Sequence, residues 1–156
     1  MSLQSVRDFL SEHADDLQIV EKPMSTATVA EAASAHGVEP AQIAKTLSLR
    51  LKEDVILLVM GGDAKLDNRK FKATFNAKAK MLSPDEVAAL TGHPVGGVCP
   101  FGLPAPMKIF ADETLRKFDI VIPAAGAPNA SLRIAPDRMV QLVNAQWVDV
   151  AQDPAF

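Results

Sequence analysis

Two places in the chain carry residue types whose spacing could do chemistry on a bound molecule. One is a lysine inside an otherwise apolar run, Ile43-Ala44-Lys45-Thr46-Leu47. The other is Gly96-Gly97-Val98-Cys99-Pro100-Phe101-Gly102. Alternate side chains of a strand share a face, so Leu47, Leu49 and Leu51 point one way and Ser48, Arg50 and Lys52 the other. A strand that reaches back two residues puts Lys45 on the leucine face, where an ammonium is costly unless it meets an anion or the mouth of a pocket. A strand that starts at Thr46 instead leaves Lys45 free to snorkel to water. In the second stretch, Gly96 and Gly97 allow a ligand to approach the main chain closely, and successive N–H groups in such a turn can form an anion-binding nest. Cys99 is the only cysteine. As a nucleophile it needs a base, and the nearest histidine, His93, precedes a proline in what reads as a separate turn. Cys99 is therefore expected to be a small buried residue shaping a pocket, and Phe101 to pack into the core beneath the loop.

Other chemistries are excluded by what is missing. His13, His36 and His93 are scattered and a single cysteine cannot build a thiolate site, so no metal is expected. There is no Gly-x-Ser-x-Gly elbow, Walker loop or dinucleotide fingerprint, so no cofactor is expected. A hydrolase built on this sequence would work by positioning and backbone hydrogen bonds.

The 156 residues, 48% hydrophobic and 22% charged, suit one globular domain spanning 1–156. No apolar run approaches the ~18 residues of a membrane span, and "MSLQSVRDFL" lacks the pattern of a secretory signal. A cytoplasmic location and no membrane partner are expected. A net charge of −3 argues against non-specific coating of nucleic acid, but the charge is uneven. Lys65, Arg69, Lys70, Lys72, Lys78 and Lys80 fall within sixteen residues beside one acid, Asp67. That window is either a solvated helix face or a phosphate-contacting patch.

The elements that would position these residues are legible along the chain. Leu3, Val6, Phe9 and Leu10 predict an N-terminal amphipathic helix, and Leu17 to Glu21 a short strand. Thr28-x-x-Glu31 is a capping box opening a helix that stops at Gly37, with Pro40 starting another short one. "KTLSLRL" and "VILLVM" read as a hairpin whose second strand is buried on both faces. A helix over about Asp67 to Asn76 carries the basic residues. Ser83-Pro84-x-Glu86 opens a further helix that ends at Gly92. "MKIFAD", "DIVIPA" and "SLRIA" predict strands, Pro136 to Val143 a helix, and "QWVDV" a closing strand. The expected class is α+β, with a mixed, mostly antiparallel sheet.

With these pieces in this order, the chain resembles the YbaK and prolyl-tRNA synthetase-associated domain family of trans-editing factors. The matching segments are "STATVAEAA", "IAKTL", "GDAKLDNRKF", "GHPVGGVCPFG" and "PAAGAPNASLRI". The resemblance implies a curved sheet, a partial barrel flanked by helices, around a small pocket. It also implies hydrolysis of the ester joining a small amino acid to the 3′-terminal adenosine of a mischarged tRNA, with the acceptor end of aminoacyl-tRNA as partner and a synthetase as a possible second one. Lys45 then corresponds to the family's essential lysine, and Gly96 and Gly97 to the catalytic loop. Thr26, Thr46, Val98, Cys99, Pro100, Phe101, Gly102 and Asn129 fall to substrate binding, and Lys65, Arg69, Lys70 and Lys72 to tRNA contact. Relatives that prefer alanine commonly carry a His-Pro pair upstream of an asparagine. Here the region reads Ile122-Pro123 through Asn129, without the histidine. Within the implied class of small amino acids (Ala, Ser, Thr or Cys), the departure counts against alanine and leaves serine, threonine, cysteine or a non-protein amino acid open. Two other readings stand beside the enzyme: an idle module that binds tRNA or a synthetase, and a thiol hydrolase using Cys99.

Overall fold

β-Hairpin geometry organises the chain. In the computed structural model, which describes residues 2–153, strand β2 (Ile43–Leu51) turns at Lys52, whose φ is +54°, into β3 (Asp54–Gly61). The two pair antiparallel over eight residues, from Ala44↔Gly61 to Leu51↔Asp54. β3 is buried from Ile56 to Gly61. Its alternate side chains enter two different apolar clusters, Leu57 and Val59 on one face, Ile56, Leu58 and Met60 on the other. That is why "VILLVM" has no polar position.

On the far side of β3, β5 (Lys108–Asp112) and then β8 (Gln146–Val148) add in parallel. On the near side, the outer edge of β2 is shared. β6 (Ile122–Pro123) pairs with Ile43 and Ala44 in parallel, and β4 (Lys80–Met81) pairs with Leu49 and Arg50 antiparallel. The sheet is thus mixed and open, ordered β4-β2-β3-β5-β8 with β6 beside β2. Residues 45–48 of β2 lie between these two short partners. A separate antiparallel pair joins β1 (Val20–Glu21) to β7 (Ala130–Ser131).

Among the described residues, five α-helices cover this frame. α1 (Ser2–His13) buries Val6 and Leu10. α2 (Val29–His36) starts at the expected capping box, with Glu31 N–H donating to Thr28 Oγ1 at 3.1 Å and Thr28 N–H to Glu31 Oε1 at 3.2 Å. α3 (Asn68–Phe75) is capped by Asp67, α4 (Pro84–Thr91) by a second capping box at Ser83, and α5 (Pro136–Val143) begins on its proline. Asp112, fully buried, accepts the N–H groups of Val150 at 2.8 Å and Thr114 at 2.9 Å, so its charge is compensated where the C-terminal segment crosses the sheet. Among the described residues no helix is long and apolar enough to cross a membrane, and no three histidine, cysteine or acidic side chains are placed to hold a metal ion.

Candidate active site

Where β6 and β4 fail to meet along the edge of β2, a cleft opens. Its volume is about 320 Å³, at the small end for ligand sites. Its floor is β2 from Ile43 to Ser48. One wall is the segment Thr26–Val29 leading into α2, another is Met81 and Leu82 with Val87 of α4, and the lid is Val95, Gly96 and Val98. Ala44, Thr46 and Ser48 share a strand face and all line this space. The resemblance assigns Thr46 of this face to substrate binding, and Thr46 does line the cleft. Because β2 is covered on both sides, Ser48 is only 4% exposed, and its position in the floor was missed, as was that of Ser131. The available signal was the run of small residues at alternate positions, Ala44, Thr46, Ser48.

β2 begins at Ile43, so Lys45 does fall on the leucine face, opposite Met60 of β3. Its side chain is half-buried. It donates to the carbonyls of Gly62 at 3.2 Å and Ala64 at 2.5 Å, and the residue also borders the cleft. Burial pulls its pKa below the usual lysine value, with Asp63 opposing and Lys65 adding to the shift. An ammonium has three donors, and two carbonyls account for two of them.

The glycine-rich stretch divides. Gly96 and Val98 face the cleft. Gly96 has φ +92°, and a Cβ there would stand 2.8 Å from the Ala27 methyl across the opening, so this position admits no side chain. A Cβ on Gly97 would lie 2.7 Å from Ala127 N, and the Gly97 N–H is already given to Pro94 O at 2.9 Å. Gly97 therefore braces the loop on residues 126–127 and has no free amide to offer. Cys99 and Phe101 are fully buried in the main core, as expected for Phe101. Pro100 and Gly102 border a different depression, beside Phe9 and Leu103. None of these four lines the cleft. Cys99, Pro100, Phe101 and Gly102, expected at the substrate, thus lie away from the cleft surface, beneath and beside the loop.

Contrary to the expectation from sequence, a histidine does stand beside the thiol: His93 Nε2 lies 3.5 Å from Cys99 Sγ. The imidazole is also held by Phe101 O at 2.8 Å and by Ser2 Oγ at 2.5 Å. Burial drives the thiol up to about 12 and lowers the His93 pKa, so both groups are neutral. Since the thiolate is the reactive form, the native thiol is expected to alkylate roughly 10³-fold more slowly than the unfolded one. Comparable labelling rates in the presence and absence of denaturant would contradict this placement.

Thr26 lines the cleft, its hydroxyl donating to Pro128 O at 3.2 Å. Asn129 does not. Its side-chain amide donates to Lys22 O at 3.1 Å and ties β1 to β7. The basic segment also divides. Lys70 is taken up internally by Asp153 at 2.9 Å, Asp149 at 3.2 Å and Ala151 O at 2.9 Å, and the two carboxylates hold its pKa above the usual value. Lys65 is exposed beside Asp63. Arg69 and Lys72, together with Lys78, surround a separate hollow of about 400 Å³. Three residues after Lys78, Met81 lines the cleft, so the two sites are joined by one short run of chain.

Comparison with known proteins places this architecture. Residues 24–142 match the family model described as an aminoacyl-tRNA editing domain. The uncharacterised protein YwhH of Bacillus subtilis is 43% identical over 155 residues, covering 98% of this chain and 99% of that protein. A protein of Enterococcus faecalis named as a candidate Cys-tRNA(Pro)/Cys-tRNA(Cys) deacylase, EbsC, is 30% identical over 83% of this chain and 79% of its own length. A crystal structure of a candidate trans-editing enzyme for prolyl-tRNA synthetase superimposes with a TM-score of 0.90 at 33% identity, covering 97% of this chain and 98% of that one.

Proposed function

The chain belongs to the aminoacyl-tRNA editing domain family, and on that premise we propose that it is a cytoplasmic trans-editing deacylase that hydrolyses the ester of tRNA mischarged with a small amino acid. The observation that carries this reading is the small cleft itself, bordered by Lys45, floored by Thr46 and Ser48, and roofed by the backbone of Gly96. Aminoacyl esters are activated, so holding the carbonyl and admitting a water suffices. Water adds to the ester carbonyl and the bond to the ribose oxygen breaks. The products are the free amino acid and a tRNA whose terminal ribose regains its hydroxyl and its proton. Main-chain N–H groups at Gly96 and Val98 polarise the carbonyl or hold the terminal adenosine. Lys45, anchored on two carbonyls, directs its remaining donor at a phosphate of the tRNA end. Neither role needs a protein nucleophile, consistent with the neutral, buried Cys99.

A panel of tRNAs charged with alanine, serine, threonine, cysteine and proline tests the proposal. Turnover of one or two small acyl groups supports it, and survival of every ester at saturating enzyme refutes it. Survival of the esters together with tRNA binding would favour an idle module that docks tRNA or a synthetase.

For tRNA contact the geometry favours Arg69 and Lys72 over Lys70. Arg69→Gln and Lys72→Gln are each expected to weaken tRNA binding and to reduce the slope of log K against log salt by about 0.7–0.9. Lys70→Gln should leave that slope unchanged and loosen the C-terminal segment instead. Equal slopes for all three variants would remove the hollow from the interface.

A further inference from the structure

Thr46, in the floor of the cleft, carries an unmet polar group. Its Oγ1 is buried and finds no hydrogen-bond partner among the described residues, although the residue lines the open space. Buried polar side chains almost always have partners, and one that lacks them calls for an explanation. The strand supplies no local one. A threonine in a strand can turn its hydroxyl to a neighbour, but Thr46 sits opposite Val59 of β3, and Ala44 and Ser48 are the adjacent residues on its face.

The main chain points the same way. Leu82 N–H donates to Ser48 O at 3.2 Å, so the even-numbered residues of β2 turn their backbone groups toward the β4–β6 edge. Thr46 is the next such residue, and it falls in the interval that β4 and β6 leave unpaired. Two further hydroxyl residues, Ser48 and Ser131, both deeply buried, line the same floor. The rest of that enclosure is largely apolar, with Val29, Ala32, Ile43, Val87, Val98 and Ile122.

We propose that Thr46 Oγ1, seconded by Ser48 and Ser131, is the specificity determinant of the cleft, and that the acyl groups it removes carry a side-chain hydroxyl. The proposal rests on the deacylase reading above and narrows its substrate class to β-hydroxy amino acids. The apolar enclosure alone would sieve by size, and size discriminates a single methyl or hydroxyl by only about 10- to 200-fold. A buried hydroxyl that is satisfied only by the substrate's own hydroxyl adds discrimination of another kind. An alkyl side chain of the same size leaves the hydroxyl in the floor unpaired.

The test is kcat/KM for tRNA charged with serine, threonine, alanine or 2-aminobutyrate, using wild type, Thr46→Val and Thr46→Ser. Thr46→Val keeps the shape and deletes only the hydroxyl. Wild type is expected to prefer seryl over alanyl, and threonyl over 2-aminobutyryl, by about 100-fold or more. Thr46→Val should cut the two hydroxyl substrates at least about 10-fold more than the two alkyl ones, and Thr46→Ser should retain the wild-type preference. Thr46→Val is also expected to melt at the same or a higher temperature, because a partnerless buried hydroxyl has been removed. Equal losses on all four esters would assign Thr46 to the part of the substrate they share and overturn the proposal. So would a wild type that removes alanine as fast as serine, and both of those outcomes leave the deacylase reading standing. A wild type that hydrolyses none of the four fails the specificity proposal, and intact cysteinyl and prolyl esters in the wider panel would then fail the deacylase reading as well.

Discussion

Lys45→Ala is expected to lower kcat/KM for deacylation by about 10²–10³-fold, the range seen when one fixed donor is removed from a preorganised site. The ammonium is held at a defined point by Gly62 O and Ala64 O, so it meets the substrate without reorganising. Truncation removes that charge and also strips a donor from two carbonyls, which costs on the order of 1–3 kcal/mol of stability. The fold should survive this. Lys45→Arg is not a conservative control, because a planar fork cannot replace a point charge seated between two carbonyls. It should stay impaired while melting close to wild type. The decisive comparison is single-turnover hydrolysis beside a thermal melt. A well-folded Lys45→Ala protein with more than about a tenth of wild-type activity would take Lys45 out of the chemistry.

Gly102→Ala should be strongly destabilising, because a single added methyl meets both an unfavourable backbone angle and fixed main chain. Gly102 has φ +63°, and a Cβ there would sit 2.6 Å from Ser5 O and 2.9 Å from Val6 N. Those atoms are the main chain of α1 and cannot rotate away as a side chain would. Left-handed strain costs on the order of 1–3 kcal/mol and overpacking a similar amount. The sum, roughly 2–5 kcal/mol, corresponds to a melting point lower by about 5–15 °C for a domain of this size. Activity should fall with it, because α1 is bound through Ser2 and His93 to the segment that roofs the cleft. A melting point within 2 °C of wild type, about what 1 kcal/mol shifts, would show that α1 is free to step aside.

Local chemistry was readable from sequence where local chemistry decides. Thr28 and Ser83 announce helix starts because the groups they satisfy lie three residues away. "VILLVM" announces a strand covered on both faces because every position is apolar, and Pro136 to Val143 is found as a helix with those bounds. What could not be read depends on partners far along the chain. Lys70 looks available until Asp149 and Asp153, 79 and 83 residues later, fold back to it. His93 looks unrelated to Cys99 until the 94–98 turn brings the two within 3.5 Å. Lys45 and Gly96 were identified together, but the division of the glycine stretch into a half that faces the cleft and a half that supports it is set by α1 and residues 126–127, which periodicity does not reveal. Of the hydroxyl floor, Thr46 follows from the family resemblance, whereas Ser48 and Ser131 do not, for a related reason. A single strand shows that Thr46 and Ser48 share a face, not that the face is roofed.

The interval between β4 and β6 has a consequence for how the protein behaves in a crowded cell. An unpaired stretch of strand is normally a template on which another chain can add, the first step of aggregation. Here the bare stretch of β2 is only residues 45–47, stopped at one end by Ile122 and Pro123 and at the other by Lys80 to Leu82. A proline in the flanking strand and a recess overhung by Gly96 and Val98 leave no room for an extended peptide to lie alongside. Shortness and enclosure thus let the molecule keep main-chain groups uncommitted for a ligand without presenting a surface on which copies of itself could polymerise.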